Sequence, residues 1–285
     1  MTDSFAVRFA AVRARFGPLT WGLDPSGDLM ESWGLGDTTD GLERFADLML
    51  AAVPGVVGLV KPQSAFYERH GWRGIRTLTR LISEFRAAGV LVVLDAKRGD
   101  VGTTNAAYAQ AYLGPGAPME ADALTVHPYL GLRAMDAFVS RAHESGSGLL
   151  VVTRSTNPEG RAIQAAAVEP GLDRPGSLSV EQALLREIGR LNAGLAPGEL
   201  GPVGAVIGPG HLAPALDLAS ANALFLAPGV GTQGATCADV ARTFAACPDR
   251  VMPSASRSLL AAGPDLAALR AAAEAMVADL AAVLP

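Results

Sequence analysis

The fold is most visible in the segment Val90-Leu91-Val92-Val93-Leu94-Asp95-Ala96-Lys97-Arg98-Gly99-Asp100. The apolar residues that begin it predict a strand that is buried on both faces, as in a parallel sheet. Charged residues follow at once, and the two-residue period of a strand places Asp95 and Lys97 on one face. The segment therefore predicts a buried strand with a carboxylate and an ammonium at its carboxyl end.

Similar units recur along the whole chain. Seven further apolar runs predict strands at residues 19–23, 56–60, 123–126, 149–152, 203–207, 223–226 and 251–252. Stretches with helical periodicity alternate with them, at residues 40–52, 72–88, 103–113, 133–144, 180–195, 237–246 and 264–283. Asp40-Gly41-Leu42-Glu43 is interpreted as a capping box that opens the first of these helices.

Eight strand–helix units predict an α/β fold, a closed (β/α)8 TIM barrel. An open doubly wound sheet is the competing fold, and it would need a glycine-rich fingerprint after the first strand. The first strand instead runs into Gly22-Leu23-Asp24-Pro25, which does not fit. We therefore favour the barrel.

Two segments exceed the plain pattern. Residues 4–16 predict an extra helix before the first strand, and residues 157–200 form a long connection after strand five. We interpret 157–200 as an insertion at the active-site end of a single barrel domain that spans residues 1–285. The alternative is that this connection is a surface loop without a functional role.

Composition and charge exclude several classes of protein. The net charge is −5 and the arginines are scattered among acidic residues, so we expect no nucleic-acid partner. Cys237 and Cys247 predict neither a metal cluster nor a disulfide framework. No apolar run approaches the roughly 20 residues that span a bilayer, and residues 1–4 lack the features of a signal peptide. We expect a cytoplasmic protein without membrane contact.

Lysine is scarce in this chain: 23 residues are basic, and only Lys61 and Lys97 are lysines. Arginine can supply any solvated positive charge, whereas lysine is a compact ammonium that can release a proton. Both lysines follow predicted buried strands. This indicates that the two positions need a property of lysine that arginine lacks, such as release of a proton. Chance in an arginine-rich composition is the alternative.

In barrels of this kind the chemistry lies at the carboxyl ends of the strands. Polar residues at those ends include Asp24, Lys61, Asp95, Lys97, His127, Arg154 and Ser155. Buried charges are costly unless they are paired. A cluster of alternating sign, made of Lys61, Asp95, Lys97 and Asp100, would keep its groups ionised. A salt-bridge network that closes the barrel without catalysis is the alternative.

The ends of strands seven and eight predict a phosphate site. Gly229-Val230-Gly231-Thr232-Gln233-Gly234 and Arg257 follow these strands, where barrels commonly bind phosphate. Glycines let backbone N–H groups approach an anion closely. Arg257 can bind phosphate with two donors.

The segment Asp95-Ala96-Lys97-Arg98-Gly99-Asp100-Val101-Gly102-Thr103-Thr104 resembles the signature of the orotidine 5'-phosphate decarboxylase family. Further segments resemble the longer bacterial branch of that family: Gly22-Leu23-Asp24-Pro25, Lys61-Pro62-Gln63-Ser64-Ala65-Phe66-Tyr67-Glu68 and Pro228-Gly229-Val230-Gly231-Thr232-Gln233-Gly234. The resemblance implies a (β/α)8 homodimer with no cofactor and no metal. It implies release of CO2 from orotidine 5'-monophosphate to give UMP, a step of de novo pyrimidine biosynthesis.

The resemblance also implies the catalytic residues. Lys97 is implied to protonate C6 of the pyrimidine, with Asp95 and the partner subunit's Asp100 beside it. Lys61 completes the charged set. An arginine in place of Lys97 does not readily release a proton, which agrees with the scarcity of lysine.

The same resemblance implies the residues that bind the substrate. Asp24, Lys61 and the partner subunit's Thr104 are implied to hold the ribose. Ser155 is implied to face the pyrimidine, and Gln233 and Arg257 are implied to bind the phosphate.

Two other functions stay open at this point. One is a Mg²⁺-dependent phosphosugar lyase of the same superfamily, and the other is a non-catalytic protein that binds pyrimidine nucleotides. We expect His127 to be a packed, hydrogen-bonded side chain, and a place in the wall of the pocket is the alternative. Trp21, Trp33 and Trp72 are expected to pack in the core or in an interface.

Overall fold

The eight predicted strands form a closed barrel. The computed structural model describes residues 3–168, 178–210, 215–232 and 234–284. The strands are β1 (Thr20–Leu23), β2 (Leu59–Pro62), β3 (Leu91–Arg98), β4 (Ala123–Val126), β5 (Gly148–Arg154), β6 (Val203–Ile207), β7 (Phe225–Pro228) and β8 (Val251–Ala255). Each strand pairs in parallel with the next, and β8 pairs with β1. The predicted (β/α)8 barrel is confirmed.

Helices connect the strands. They are α1 (Phe5–Phe16), α2 (Gly27–Ser32), α3 (Thr39–Ala52), α4 (Ala65–Glu68), α5 (Gly71–Ala87), α6 (Gly102–Tyr112), α7 (Asp136–Ser145), α8 (Arg161–Gln164), α9 (Val180–Leu191), α10 (Cys237–Thr243), α11 (Arg257–Leu260) and α12 (Leu266–Ala281). Short 3-10 turns lie at Leu132–Met135, Pro158–Gly160, Ala219–Ala221 and Pro248–Arg250.

The predicted capping box at Asp40 is wrong. The N-cap of α3 is Thr38, whose hydroxyl accepts a hydrogen bond from the backbone N–H of Gly41 at 3.1 Å. Threonine suits this position because its side-chain oxygen satisfies an N–H that has no partner inside the helix. Asp40 lies in the first turn instead, where a carboxylate favours the helix dipole.

The predicted extra helix is α1, and it covers the amino-terminal end of the barrel. Phe5 and Phe9 are buried against the side chains that fill the barrel interior. Arg8 donates to the carboxylate of Asp122, which also accepts a hydrogen bond from the backbone N–H of Val92 at 2.8 Å. These contacts fix α1 at the end of the barrel opposite the predicted site.

Strands β2 and β3 differ from their predicted bounds in a way that matters for the site. Residues 56–57 form a turn after α3, because their backbone N–H groups bond to the Val53 carbonyl. β2 therefore begins later than predicted and contains Lys61. β3 continues beyond the apolar run and contains Asp95 and Lys97. The charged residues thus lie within the sheet and not in loops after it.

The two ends of the segment from Ala166 to Val180 bond to each other, and an ion pair then joins the connection after β5 to the barrel. Backbone hydrogen bonds join Val168 to Leu178 at 2.8 Å and Val180 to Ala166 at 2.9 Å. Glu181, at the start of α9, accepts two hydrogen bonds from the guanidinium of Arg154, at 2.7 and 2.6 Å. Both side chains of this ion pair are buried.

No helix within residues 3–168, 178–210, 215–232 and 234–284 is long and apolar enough to cross a membrane.

Candidate active site

A cavity of about 290 Å³ lies at the carboxyl ends of the strands. The predicted site residues that line it are Asp24, Lys61, Asp95, Lys97, Ser155 and Arg257. Apolar side chains at the strand ends complete one part of its wall, among them Val152, Val206 and Leu226. Most of the predicted site is therefore gathered in one cavity that combines a charged region with an apolar one.

Asp95 is the centre of a hydrogen-bonded cluster. Its Oδ2 accepts from Nζ of Lys61 at 3.0 Å and from Nε2 of Gln63 at 3.1 Å. Its Oδ1 accepts from Nζ of Lys97 at 2.6 Å and from Oγ1 of Thr125 at 2.8 Å. Donors on both oxygens stabilise the ionised form of a carboxyl group. The predicted meeting of Asp95 with both lysines is confirmed.

The pKa values of the buried pair agree with this arrangement. Burial alone would raise the pKa of Asp95, but the ammonium groups of Lys61 and Lys97 outweigh it and hold that pKa well below its usual range. Burial alone would lower the pKa of Lys61, but the carboxylates of Asp24 and Asp95 raise it above its usual value. Both groups are therefore charged at neutral pH.

The two lysines differ in their access to the cavity. The side chain of Lys61 is only 8% exposed, whereas that of Lys97 is 41% exposed. Lys61 is thus a fixed charge beneath Asp95. The ammonium of Lys97 is therefore the one that is more accessible to a bound molecule.

Lys97 does not meet Asp95 through the plain alternation of a strand. The pairing of β3 with β4 shifts between Leu94 and Arg98, so that three residues of β3 lie opposite Thr125 alone. The φ angle of Lys97 is 43°. This left-handed conformation costs a residue other than glycine about 1–3 kcal/mol, and such strain clusters at functional sites. A bulge of this kind redirects a side chain.

Asp24, at the end of β1, lies beside the charged cluster. Its Oδ1 is 3.9 Å from Nζ of Lys61, which is longer than a hydrogen bond. The same oxygen is buried and has no hydrogen-bond partner among the described residues. The side chain of Asp24 is 21% exposed and lines the cavity, so its carboxylate can accept a hydrogen bond from a hydroxyl group of a ligand.

The glycine-rich loop after β7 contains three glycines with positive φ. Gly229, Gly231 and Gly234 have φ angles of 91°, 87° and 89°, which side chains rarely allow. A Cβ atom on Gly231 would also lie 2.7 Å from Oγ of Ser258. The loop can therefore bring backbone N–H groups close to an anion at the cavity.

The remaining predicted binding residues have different surroundings. Arg257 is exposed, begins α11 and lines the cavity. Ser155 is held by Gln164 of α8, which accepts from the Ser155 backbone N–H at 3.1 Å and donates to its Oγ at 2.9 Å. Gln233 lies outside the described residues.

Asp100 and Thr104 do not line the cavity of their own chain. Asn105 accepts a hydrogen bond from the backbone N–H of Asp100 at 2.9 Å and donates to its carbonyl at 2.5 Å. Thr104 is exposed in the first turn of α6. Asp100 has no ion-pair partner in the part of the chain that the structure describes. The predicted alternation of charge therefore does not extend to Asp100 within one chain.

Sequence reasoning missed three side chains that form hydrogen bonds to predicted site residues. Gln63 stands in the quoted motif that follows Lys61, which was a usable signal. Thr125 stands at the end of β4, but its hydroxyl gains its role only from the bulge in the neighbouring strand. Gln164 has no local signal, because the turn at Pro158–Gly160 and the short helix α8 bring it back to the end of β5.

The expectations for His127 and the tryptophans are only partly confirmed. His127 is exposed, so the prediction of a packed side chain is wrong. Desolvation of its ring and the nearby Lys97 ammonium hold the pKa of His127 below its usual value. Trp21 and Trp33 are buried as expected, whereas Trp72 is 69% exposed in this chain.

The described residues contain no group of three or more His, Cys, Asp or Glu side chains that could hold a metal ion.

Comparisons with known proteins agree with this geometry. Residues 22–272 match the model of the Orotidine 5'-phosphate decarboxylase / HUMPS family. An orotidine 5'-phosphate decarboxylase of Salinispora arenicola is 47% identical over 282 residues, covering 99% of each chain. One from Streptomyces coelicolor is 44% identical over 279 residues, covering 98% of this chain and 97% of the relative.

A solved structure is similar over nearly the whole chain. It is a crystal structure of a proposed orotidine 5'-phosphate decarboxylase from Streptomyces avermitilis, with a TM-score of 0.90 and 42% identity. The match covers 99% of this chain and 96% of the other.

The closed barrel and the charged cavity at the carboxyl ends of its strands define a (β/α)8-barrel enzyme. The matches in sequence and structure go one step further. The chain belongs to the orotidine 5'-phosphate decarboxylase / HUMPS family.

Proposed function

We propose that this chain converts orotidine 5'-monophosphate to UMP and CO2 in de novo pyrimidine biosynthesis. The observation that carries the proposal is the carboxylate of Asp95, which bonds to both Lys61 and Lys97 in the cavity. Membership of the family, and relatives of that name at full length, support the same reaction.

The proposed chemistry centres on C6 of the pyrimidine. The bond from C6 to the carboxylate breaks, CO2 leaves, and the electron pair stays on C6 in the plane of the ring. The ring π system cannot absorb a pair that lies in this plane. The ammonium of Lys97 stabilises the charge and then donates its proton, which forms the new C6–H bond.

Asp95 has two roles in this proposal. It accepts a hydrogen bond from the Nζ of Lys97 at 2.6 Å and so fixes the position of the proton donor. It also faces the carboxylate of the substrate, and the loss of CO2 relieves that repulsion. Lys61, beneath it, keeps Asp95 ionised in a buried position.

The remaining roles follow the composition of the cavity wall. We assign the ribose to Asp24 and Lys61, and the pyrimidine to Ser155. Arg257 and Gln233 are assigned to the phosphate, beside the glycine-rich loop. Phosphate binding is remote from C6, yet its energy can hold the reacting ring in place and raise the rate.

We also propose a homodimer in which Asp100 and Thr104 complete the site of the partner subunit. Neither residue lines the cavity of its own chain. Val101, Tyr129 and Leu130, in the loops after β3 and β4, are 53%, 78% and 53% exposed. A second copy would cover these apolar side chains and bring the loop of Asp100 to a neighbouring cavity.

The domain organisation is part of the same proposal. We propose that the chain is a single domain and that residues 157–200 form an insertion at the active-site end. Asn157 lines the cavity, and Gln164 holds Ser155. The cytoplasmic location expected from the sequence stays a prediction.

A spectrophotometric assay of orotidine 5'-monophosphate, run with and without a chelator, tests the proposal. We expect UMP and CO2 to form at the same rate in both conditions. Loss of activity in chelator would favour the Mg²⁺-dependent lyase. Tight binding of a UMP analogue with no turnover would favour the non-catalytic binding protein. Lys97→Ala is the control for activity from contaminating enzyme.

A further inference from the structure

The bulge in β3 leaves backbone groups that the sheet does not pair. Leu94 pairs with Leu124, and Arg98 pairs with Val126, so on the β4 side of the strand residues 95–97 lie opposite Thr125 alone. An extra residue in a strand disrupts the regular ladder, and its backbone N–H needs another partner. At Lys97 the partner of the N–H group is a side chain, the hydroxyl of Thr125, at 3.0 Å.

The hydroxyl of Thr125 makes two hydrogen bonds whose directions are fixed. The N–H of Lys97 can only donate, so Oγ1 accepts this bond. The single hydroxyl proton is then left for Oδ1 of Asp95, at 2.8 Å. Thr125 is fully buried, so water does not compete for either bond. One side chain therefore holds the backbone of Lys97 and the carboxylate that fixes its ammonium.

We infer that Thr125 is a positioning residue for Lys97. It touches no cavity surface and acts through the two residues that it bonds. Its first bond stabilises the left-handed backbone of Lys97, with φ at 43°, against relaxation into an ordinary strand conformation. Its second bond orients Oδ1 of Asp95, to which the ammonium is bonded.

Loss of the Thr125 hydroxyl changes the position and orientation of the Lys97 ammonium more than it changes the shape of the cavity. The bulge can relax towards regular pairing, and this moves the Lys97 side chain relative to C6. Displacement by about 1 Å can cost roughly a hundredfold in rate. The inference rests on the proposed role of Lys97, but the position of Lys97 can be measured without turnover.

Thr125→Val removes the hydroxyl and keeps the shape of the side chain, whereas Thr125→Ser keeps the hydroxyl. We expect Thr125→Val to lower kcat by roughly tenfold to a hundredfold while KM and UMP affinity change little. Thr125→Ser is expected to restore kcat to within about threefold of the wild type. Thr77→Val is the matched control, because Thr77 is also buried but donates only to the Arg73 carbonyl within α5.

Crystal structures of the wild type and of Thr125→Val give the second readout. We expect the variant to lose the positive φ of Lys97 or to separate Nζ from Oδ1 of Asp95. Unchanged geometry in Thr125→Val would overturn the inference, whether or not the wild type decarboxylates the nucleotide. Equal loss of kcat in the valine and serine variants would also overturn it, because packing and not the hydroxyl would then matter. An inactive wild type with a displaced Lys97 in the variant would refute the proposed function and leave the positioning role supported.

Discussion

The Nζ of Lys97 lies 2.6 Å from Oδ1 of Asp95, only two positions earlier in the same strand. This contact depends on a strand that bulges between the two residues and on a non-glycine residue with positive φ. The backbone of Lys97 is thus locally strained, and this conformation places its ammonium against a buried carboxylate.

Lys97→Ala is expected to lower kcat by roughly 10²–10⁴-fold or more, because general acids contribute factors of that size. Lys97→Arg should recover little, since its guanidinium keeps the charge but does not release a proton. Steady-state kinetics measure kcat of both variants. Their affinity for UMP is the control, because it shows whether the cavity is intact. A Lys97→Arg enzyme with a large share of wild-type kcat would contradict the role of proton donor.

The depressed pKa of Asp95 predicts a loss of stability in acid. A carboxyl whose pKa is lower in the folded protein stabilises it above the unfolded value of about 3.9. That contribution to stability is lost as the pH falls from the unfolded pKa towards the pKa of the folded protein. We expect the gap in free energy of unfolding between the wild type and Asp95→Asn to narrow as the pH falls below about 4. Urea denaturation across pH 7 to 3 measures it, and a gap that does not depend on pH would contradict the prediction.

The barrel could be predicted from the sequence because its strands are buried on both faces and read as continuous apolar runs. The clustering of Asp24, Lys61 and Asp95 followed, since the carboxyl ends of parallel strands meet at one end of a barrel. The roles of Thr125 and Gln164 could not be predicted. The role of Thr125 depends on a shift of register between two strands, and the role of Gln164 depends on how a short turn and helix fold back onto β5. Neither feature leaves a periodic signal in the sequence.

Arg257→Ala is expected to raise KM by roughly tenfold to a hundredfold, because a charge-assisted hydrogen bond contributes about 1.5–3 kcal/mol. Added guanidinium ion should restore part of the loss by occupying the vacated space. Orotidine without its phosphate is the matched control substrate, and its slow turnover should not respond to the substitution. If Arg257→Ala lowered kcat/KM equally for both substrates, Arg257 would not be the residue that binds the phosphate.

The buried ion pair between Arg154 and Glu181 predicts a large effect on stability. Glu181→Ala removes the carboxylate that accepts two guanidinium hydrogen bonds, and breaking a buried pair costs about 3–5 kcal/mol. Glu43→Ala is the control, because its pair with Arg76 is exposed and such pairs contribute about 0–1 kcal/mol. Chemical denaturation measures the free energy of unfolding of both variants. If both substitutions lowered it by a similar amount, the buried pair would not anchor the connection after β5.

The shared site predicts that two inactive variants can restore activity together. Lys97→Ala and Asp100→Ala dimers should each be nearly inactive, since every site in them carries a lesion. In a mixed dimer both lesions fall in one site, and the other site receives an intact Lys97 from one chain and an intact Asp100 from the other.

After equal mixing and free exchange, about half of the dimers are mixed and each has one good site, so activity should rise towards about a quarter of the wild type. Mass spectrometry of differently labelled subunits measures exchange, and the nucleotide assay measures recovery. A mixture of Lys97→Ala with Asp95→Ala is the control. Both of those residues belong to the same chain's cluster, so a mixed dimer has no intact site and should stay inactive. If exchange is complete and the first mixture also stays inactive, Asp100 serves its own chain and the shared-site proposal is wrong.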